Sequence, residues 1–217
     1  MIDPPPQINE FGWIWQKWLN LFREYIRGIS ERLFPNNDDY GWTDYLSSLS
    51  SGKTAGSSVP TWSTFRDGIK GFAFSPTGGD EIWISFHINH DFKVGTAIYP
   101  HVHWSPNTTS TGTVRWGVEY TAAKGHQQSN FGSSNTIYIE QTVGSADQYG
   151  HYIAESSDGD AISSDELEVD ALVLMRIFRD GSHVNDTFPD DVFGFFVDLH
   201  VQIDRFSTLN KSPNFYE

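Results

Sequence analysis

Large apolar side chains near the start of the chain follow the spacing of an α-helix. Intervals of three and four residues alternate between them from position 8 to position 29, which places them along one face of a helix. Pro6 and Pro35 mark the limits of the helix, because proline lacks the N–H group that a helix interior requires. We therefore predict a helical segment over residues 1–35 that serves in oligomerisation or anchoring. The residues of this heptad seam are Ile8, Phe11, Trp15, Trp18, Phe22, Tyr25 and Ile29.

The apolar stripe of this helix is wider than a two-stranded coiled coil needs. Leu19, Ile26 and Leu33 form a second row beside the seam at seven-residue intervals, and a stripe of that width is typical of three or more packed helices or of burial against another protein. The tryptophans also fit an interfacial membrane anchor, but the polar face mixes acidic and basic residues. The seven-residue repeat favours protein contact, so we predict a homotrimer and no membrane partner.

Residues 36–68 have the composition of a linker. They are rich in Ser, Gly, Asn and Asp, and the serine-rich tract 47–52 lies at their centre. Aromatic residues, among them Trp42 and Trp62, are more frequent than in a disordered segment. We predict an extended connector that lies along a protein surface.

From position 69 onward, short runs rich in β-branched and aromatic residues alternate with turn residues. Apolar and polar side chains alternate within residues 113–120, as in a strand with one buried and one solvated face. Eight strands without an intervening helix favour a mainly β fold, and we predict a jelly-roll-like antiparallel β-sandwich over residues 69–217, behind the N-terminal α-helix. The predicted strands are 69–74, 81–88, 97–104, 113–122, 135–143, 151–155, 168–178 and 192–204.

Composition narrows the classes of partner. A chain of 217 residues is long enough for one principal domain. With 28 acidic and 14 basic residues the formal net charge is -14, which opposes binding to nucleic acid or to anionic lipid. The chain has no cysteine, so disulfides and thiol chemistry are excluded. Its acidic, proline-rich start and the lack of a long apolar run favour a soluble, unprocessed chain.

Two histidines at alternate positions, His101 and His103, are the clearest candidates for chemistry. Alternate residues of a strand project from one face, so both imidazoles can reach one metal ion. Residues 95–103 resemble the first half of the cupin metal motif, which is a glycine, five further residues and a His-x-His pair. His200 lies in a late strand, as a cupin's final histidine does. The glutamate that follows the pair in cupins is missing, because the next acidic residue after the pair is Glu119.

We interpret this pair as structural, hydrogen-bonded to neighbouring strands, and assign no metal ligand and no cofactor. The alternative is a cupin-like metalloenzyme that uses His101, His103 and His200 on a small molecule or a sugar. The sequence contains no Gly-x-Ser-x-Gly elbow, no phosphate-binding glycine loop and no His-Glu-x-x-His helix. We therefore predict no catalytic residue and no enzymatic activity.

Four stretches of the predicted β domain resemble a group of small virion-associated proteins encoded by tailed bacteriophages. They are residues 98–106 (Ile-Tyr-Pro-His-Val-His-Trp-Ser-Pro), 111–120, 174–180 and 197–200. The resemblance covers about residues 69–206, and the His-Val-His-Trp block is its most distinctive part. It implies a β-sandwich built into a phage particle as a head fibre, decoration or tail-attached protein, which docks on capsid, portal or tail proteins through its N-terminal segment. It also implies localisation to the virion, after assembly in the bacterial cytoplasm.

A glycan-binding or receptor-binding knob is a further alternative, and it is compatible with the virion role. Aromatic rings of the β domain, such as Trp62, Trp83 or Trp116, can stack on sugars. We expect most of these rings to belong to the core instead. A host surface glycan is the partner that this alternative predicts.

Overall fold

The computed structural model describes residues 10–33, 41–55 and 58–215. These residues form one α-helix, ten β-strands and two short 3-10 turns. The helix α1 spans Glu10–Leu33, and the turns span Leu49–Ser51 and Ser164–Glu166. The strands are β1 (Gly41–Ser48), β2 (Thr61–Arg66), β3 (Ile69–Phe74), β4 (Glu81–His87), β5 (Tyr99–Pro106), β6 (Gly112–Ala123), β7 (Asn135–Val143), β8 (Tyr152–Glu155), β9 (Leu172–Arg179) and β10 (Val192–Ile203).

The N-terminal helix is present as predicted. It forms a structural unit separate from the β domain, and among the described residues no helix is long and apolar enough to cross a bilayer. Phe11 lies within α1, whereas Ile8 lies outside the described residues. The exposed side-chain fraction in the seam ranges from 38% at Ile29 to 67% at Trp18, so burial of the seam by other chains stays a prediction. The exposed seam residues are Trp15, Trp18, Phe22, Tyr25 and Ile29.

The strands form two antiparallel sheets that pack as a sandwich. The first sheet has the order β2-β3-β10-β5-β8, with β1 also paired to β10, and the second sheet has the order β4-β9-β6-β7. From β3 to β10 the chain changes sheet at every connection except that between β6 and β7. This is the order of an eight-stranded jelly roll. The predicted fold is confirmed, and each of the eight predicted strands is present.

Much of the predicted connector is instead part of the sandwich. β1 pairs with β10, and β2 pairs with β3. In the serine-rich tract the Ser48 side chain accepts a hydrogen bond from the Ser50 N–H at 3.3 Å, so this tract is a capped turn. Leu49 in this turn is fully buried and occupies space left by Gly194, where a β-carbon would lie 2.8 Å from the Leu49 Cδ1. The compact β unit begins at Trp42 and not at residue 69.

Large rings fill the core between the two sheets. Trp104 and Trp116 are fully buried with their ring centroids 6.1 Å apart, and Phe74 meets Trp116 edge to face at 5.1 Å. Burial of a phenylalanine side chain alone stabilises a fold by about 1.5–3 kcal/mol. The Trp104 indole N–H donates a hydrogen bond to Gln141 Oε1 at 2.9 Å. Since side chains alternate along a strand, residues between these core positions face outward.

Candidate functional site

The outer face of the first sheet carries the candidate site. On β5, Val102 and Trp104 are fully buried in the core, so the alternate residues His101 and His103 project from the opposite face of the sheet. The cupin interpretation requires these imidazoles inside a barrel, and the structure corrects it on this point. His101 is nevertheless buried, because the side chains of neighbouring strands cover it on the outer face.

Strand β10 brings an acid and a third histidine beside the pair. Asp198 lies opposite His101 in the strand register, and His200 lies opposite Tyr99. The centroid of the His101 ring is 5.0 Å from that of His103 and 4.1 Å from that of His200. The three histidines singled out from the sequence therefore meet, together with Asp198, which sequence reasoning missed. These four residues are termed the histidine cluster.

The buried carboxylate of Asp198 lies between two of the imidazoles. Asp198 Oδ2 is 2.9 Å from His103 Nε2 and 3.5 Å from His101 Nε2. The shorter contact is an ion pair that engages His103 Nε2, whereas His101 Nδ1 and Asp198 Oδ1 are buried without a hydrogen-bond partner within the described residues. Such atoms are rare in folded proteins and cost about 1–3 kcal/mol each.

Contacts at the edge of the cluster fix the outer rings. His151 Nε2 lies 2.8 Å from His103 Nδ1. Both nitrogens of His200 are engaged, Nδ1 with Glu155 Oε1 at 2.5 Å and Nε2 with Asp44 Oδ1 at 3.1 Å. The ring of His103 is therefore held with Nε2 toward the carboxylate, while His200 is saturated by two acids.

The environment of His103 favours its neutral form. Burial is the strongest influence and lowers the pKa of His103, and the positive charges of His101 and His151 lower it further. The Asp198 carboxylate acts in the opposite direction without reversing the shift.

Two groups of three potential metal ligands share His101. One group adds His103 and Asp198, and the other adds Asp44 and His200. Within each group the ligand atoms all lie within 4.8 Å of one another. Ligands about 2 Å from one ion have a similar spacing after small side-chain adjustments.

A cleft of about 620 Å³ adjoins the histidine cluster at His200. Trp42 forms one side of it, with 55% of its surface exposed. Its ring meets Tyr99 edge-on at 5.8 Å and His200 at 6.4 Å, so the exposed indole is held in place. This cleft, termed the Trp42 cleft, is lined by Trp42, Tyr99, Glu155, Ser156, Ser157, Asp158 and His200.

The rings proposed from the sequence for sugar stacking have different positions. Trp116 is fully buried, which excludes it from binding. Trp83 lines a separate pocket of about 320 Å³ on the second sheet. Trp62 is 49% exposed on β2, where it meets Phe72 edge-on at 4.9 Å. Trp42 lies in the segment that the sequence predicts to be a connector, so its position beside β10 could not be predicted from the sequence.

A second group of histidines surrounds one acid ahead of β9. Asp170 Oδ1 lies 3.0 Å from His87 Nε2 and 3.2 Å from His90 Nε2, and Asp170 Oδ2 lies 2.7 Å from His126 Nε2. Burial acts to raise the pKa of Asp170, but the hydrogen bond from His126 and the charges of His90 and His87 outweigh it, so this pKa lies below its ordinary value. Sequence reasoning missed this Asp170 cluster, whose members come from three separate segments.

Comparison with known proteins assigns the chain to no family. No protein-family model matches, and no curated protein matches. Among solved structures, an exo-β-1,3-galactanase from Phanerochaete chrysosporium shares 11% identity over 72% of this chain and 29% of its own, with a TM-score of 0.39. A CBM36 domain of a xylanase from the hindgut metagenome of Trinervitermes trinervoides shares 9% identity over 72% of this chain and 96% of its own, with a TM-score of 0.35. The xylan-binding module CBM15 shares 14% identity over 76% of this chain and 100% of its own, with a TM-score of 0.37. At these identities and scores the likenesses assign no activity to this chain.

Proposed function

We propose that the β-sandwich is a glycan-binding module whose binding site is the Trp42 cleft. The observation that carries the proposal is the indole of Trp42, which is more than half exposed yet positioned by Tyr99 and His200. A ring held in this way offers a flat apolar surface to the C–H face of a sugar and loses little side-chain entropy on binding.

Polar groups around the indole complement the hydroxyl groups of a sugar. Glu155 and Asp158 line the cleft, and carboxylates accept hydrogen bonds from hydroxyls. Ser156 Oγ is buried and has no hydrogen-bond partner among the described residues, so a ligand hydroxyl would satisfy it. The volume of about 620 Å³ lies in the range of small-molecule sites.

The charge of the cleft selects among glycans. Its two carboxylates belong to a chain with a formal net charge of -14, and like charge disfavours an acidic partner. Neutral glycans are therefore the expected ligands, in preference to those that carry carboxylate or sulfate groups.

A glycan array probed with the full chain tests the proposal. We expect binding to neutral glycans, and we expect Trp42→Ala to weaken it about tenfold because the stacking surface is lost. Trp62→Ala is the matched control, since it removes a similarly exposed ring outside the cleft, and it should leave binding unchanged. An array without neutral hits would contradict the proposal, as would a loss of binding in Trp62→Ala that equals the loss in Trp42→Ala.

We further propose that α1 assembles the chain into a homotrimer that is a component of a tailed-phage virion, the role that the sequence resemblance implies. The specific observation in favour is the row of exposed large side chains on α1 at heptad spacing. The proposed occupant of this row is α1 of two further copies, since a wide heptad stripe matches three helices. Each large apolar side chain removed from water contributes about 1.5–3 kcal/mol to such an assembly.

Analytical ultracentrifugation of the full chain at micromolar concentration tests the trimer. We expect a trimer for the wild type and a monomer for Phe22→Glu, because a carboxylate in the seam would be buried without a partner. Asn20→Glu, on the opposite side of α1, should remain trimeric. A monomeric wild type would contradict the trimer. The virion role predicts that mass spectrometry detects the chain in purified particles of the phage that encodes it, and its absence there would contradict that role.

A further inference from the structure

We propose that His101, His103 and Asp198 form a binding site for one divalent transition-metal ion on the outer face of the first sheet. This site goes beyond glycan binding and stands independently of it. Three observations support it: the burial of the carboxylate, the convergence of the three side chains, and the buried atoms that lack hydrogen bonds.

The carboxylate of Asp198 is buried, and its contacts among the described residues include histidines but no lysine or arginine. A buried charge is costly unless it is paired or coordinates a metal. Its observed partners are the imidazole nitrogens of His101, at 3.5 Å, and of His103, at 2.9 Å. A divalent cation between the three residues would neutralise the carboxylate and use the lone pairs of both rings.

Among the described residues His101 Nδ1 and Asp198 Oδ1 are buried without a hydrogen bond, and the contact found for His103 Nε2 is the ion pair with Asp198 Oδ2. The ligand atoms of the group all lie within 4.8 Å of one another. The His151 contact to His103 Nδ1 at 2.8 Å leaves Nε2 directed at the carboxylate, an arrangement that supports a histidine ligand through its second nitrogen. The side chains are thus placed for coordination before any ion arrives.

The donor set defines the class of ion. Two imidazole nitrogens and one carboxylate oxygen suit zinc, copper, nickel, iron or cobalt. Calcium and magnesium prefer sites made of oxygen ligands. Three protein ligands leave further positions for water, so we expect an exchangeable ion.

Two neighbouring arrangements are weaker candidates. In the group of Asp44, His101 and His200, the Asp44 side chain is 44% exposed and can be solvated by water, and Nδ1 of His200 is engaged by Glu155 outside the group. In the Asp170 cluster both carboxylate oxygens are engaged by histidines, and no atom of that cluster is both buried and without a hydrogen bond in the described structure. The Asp170 cluster therefore provides the control for the proposed site.

The test is zinc binding by the full chain after removal of metals, measured in competition with a chromophoric chelator. We expect one Zn²⁺ per chain. We expect Asp198→Asn to weaken the affinity for Zn²⁺ by about tenfold to a hundredfold. His103→Gln should do the same and serves as the second variant if Asp198→Asn does not fold by circular dichroism. Asp170→Asn, the same carboxylate-to-amide change in the other cluster, should leave the affinity within about twofold.

A readout on the wild type alone keeps the test decisive if both variants fail to fold. With Co²⁺ as the probe, we expect the visible absorption of a nitrogen- and oxygen-ligated site and a rise in the unfolding temperature with Co²⁺ concentration. The proposal is overturned if neither Zn²⁺ nor Co²⁺ binds the wild type. It is also overturned if Asp198→Asn and His103→Gln fold and bind like the wild type, or if Asp170→Asn loses the ion. Glycan binding by a protein that binds no metal would leave the proposed function intact.

Discussion

At the scale of single residues, Arg179 shows how completely a buried charge is satisfied in this fold. Its side chain is fully buried, and all five N–H donors have acceptors. Two donate to the carboxylate of Asp186, and three donate to the backbone carbonyls of Phe74, Asp190 and Phe188. One guanidinium thereby ties β3, β9 and the segment before β10 together. The contacts found for the Asp198 carboxylate in the described structure are two imidazoles, and this is why we propose it as a metal ligand.

Replacing Arg179 with methionine tests this interpretation. The change leaves the buried carboxylate of Asp186 without its charged partner and with only the hydrogen bond from the Arg115 backbone N–H, so we expect Arg179→Met to lower the free energy of unfolding by about 3–5 kcal/mol. Chemical denaturation measures the loss. Arg176→Met is the control, because Arg176 is paired with Glu81 and Glu119 but is one-third exposed, and its loss should be about 1 kcal/mol or less. A cost below about 1 kcal/mol for Arg179→Met would contradict the account.

At the scale of secondary-structure elements, the strands that could be predicted are those in which apolar and polar residues clearly alternate. β6 shows this alternation, since Val114, Trp116 and Val118 are buried between more polar neighbours. β1 lacks this signal, because its Asp and Ser residues resemble a loop and it becomes a strand only by pairing with β10. Tertiary pairing overrides local propensity here.

The candidate site likewise has one part that could be predicted from the sequence and one part that could not. The period of a strand places His101 and His103 on one face, so their proximity could be predicted. Asp198 joins them through the register of β10 against β5, and Asp44 through the pairing of β1 with β10. Cross-strand register depends on contacts between distant segments, and no pattern within either strand encodes it.

The loop before β9 carries a pH dependence that can be measured. The pKa of Asp170 is below its ordinary value of about 4, so the ionised carboxylate stabilises the folded state. This contribution is present above about pH 4 and is lost as the pH falls through the lowered pKa. We expect Asp170→Asn to lower the unfolding temperature at pH 5 and the difference from wild type to shrink toward pH 2. A difference that stays constant between pH 5 and pH 2 would contradict this sign.

At the scale of the whole molecule, the chain combines a helix that exposes a heptad seam with a jelly roll that has one polar, aromatic face. We propose association with other chains for the first unit and glycan recognition for the second. A trimer would present three Trp42 clefts, and multiple sites raise avidity without any new contact. Weak binding at each cleft would then suffice for attachment to a glycan-covered surface.

The most direct measurement of the central claim is a titration followed by NMR at the indole N–H groups of the eight tryptophans. The probe is a neutral oligosaccharide taken from the array hits, and single Trp→Phe variants assign the signals. We predict that the Trp42 signal shifts on titration while those of Trp62 and Trp83 stay in place. A shift confined to Trp62 or Trp83, or no shift at Trp42 with any glycan bound, would contradict the account.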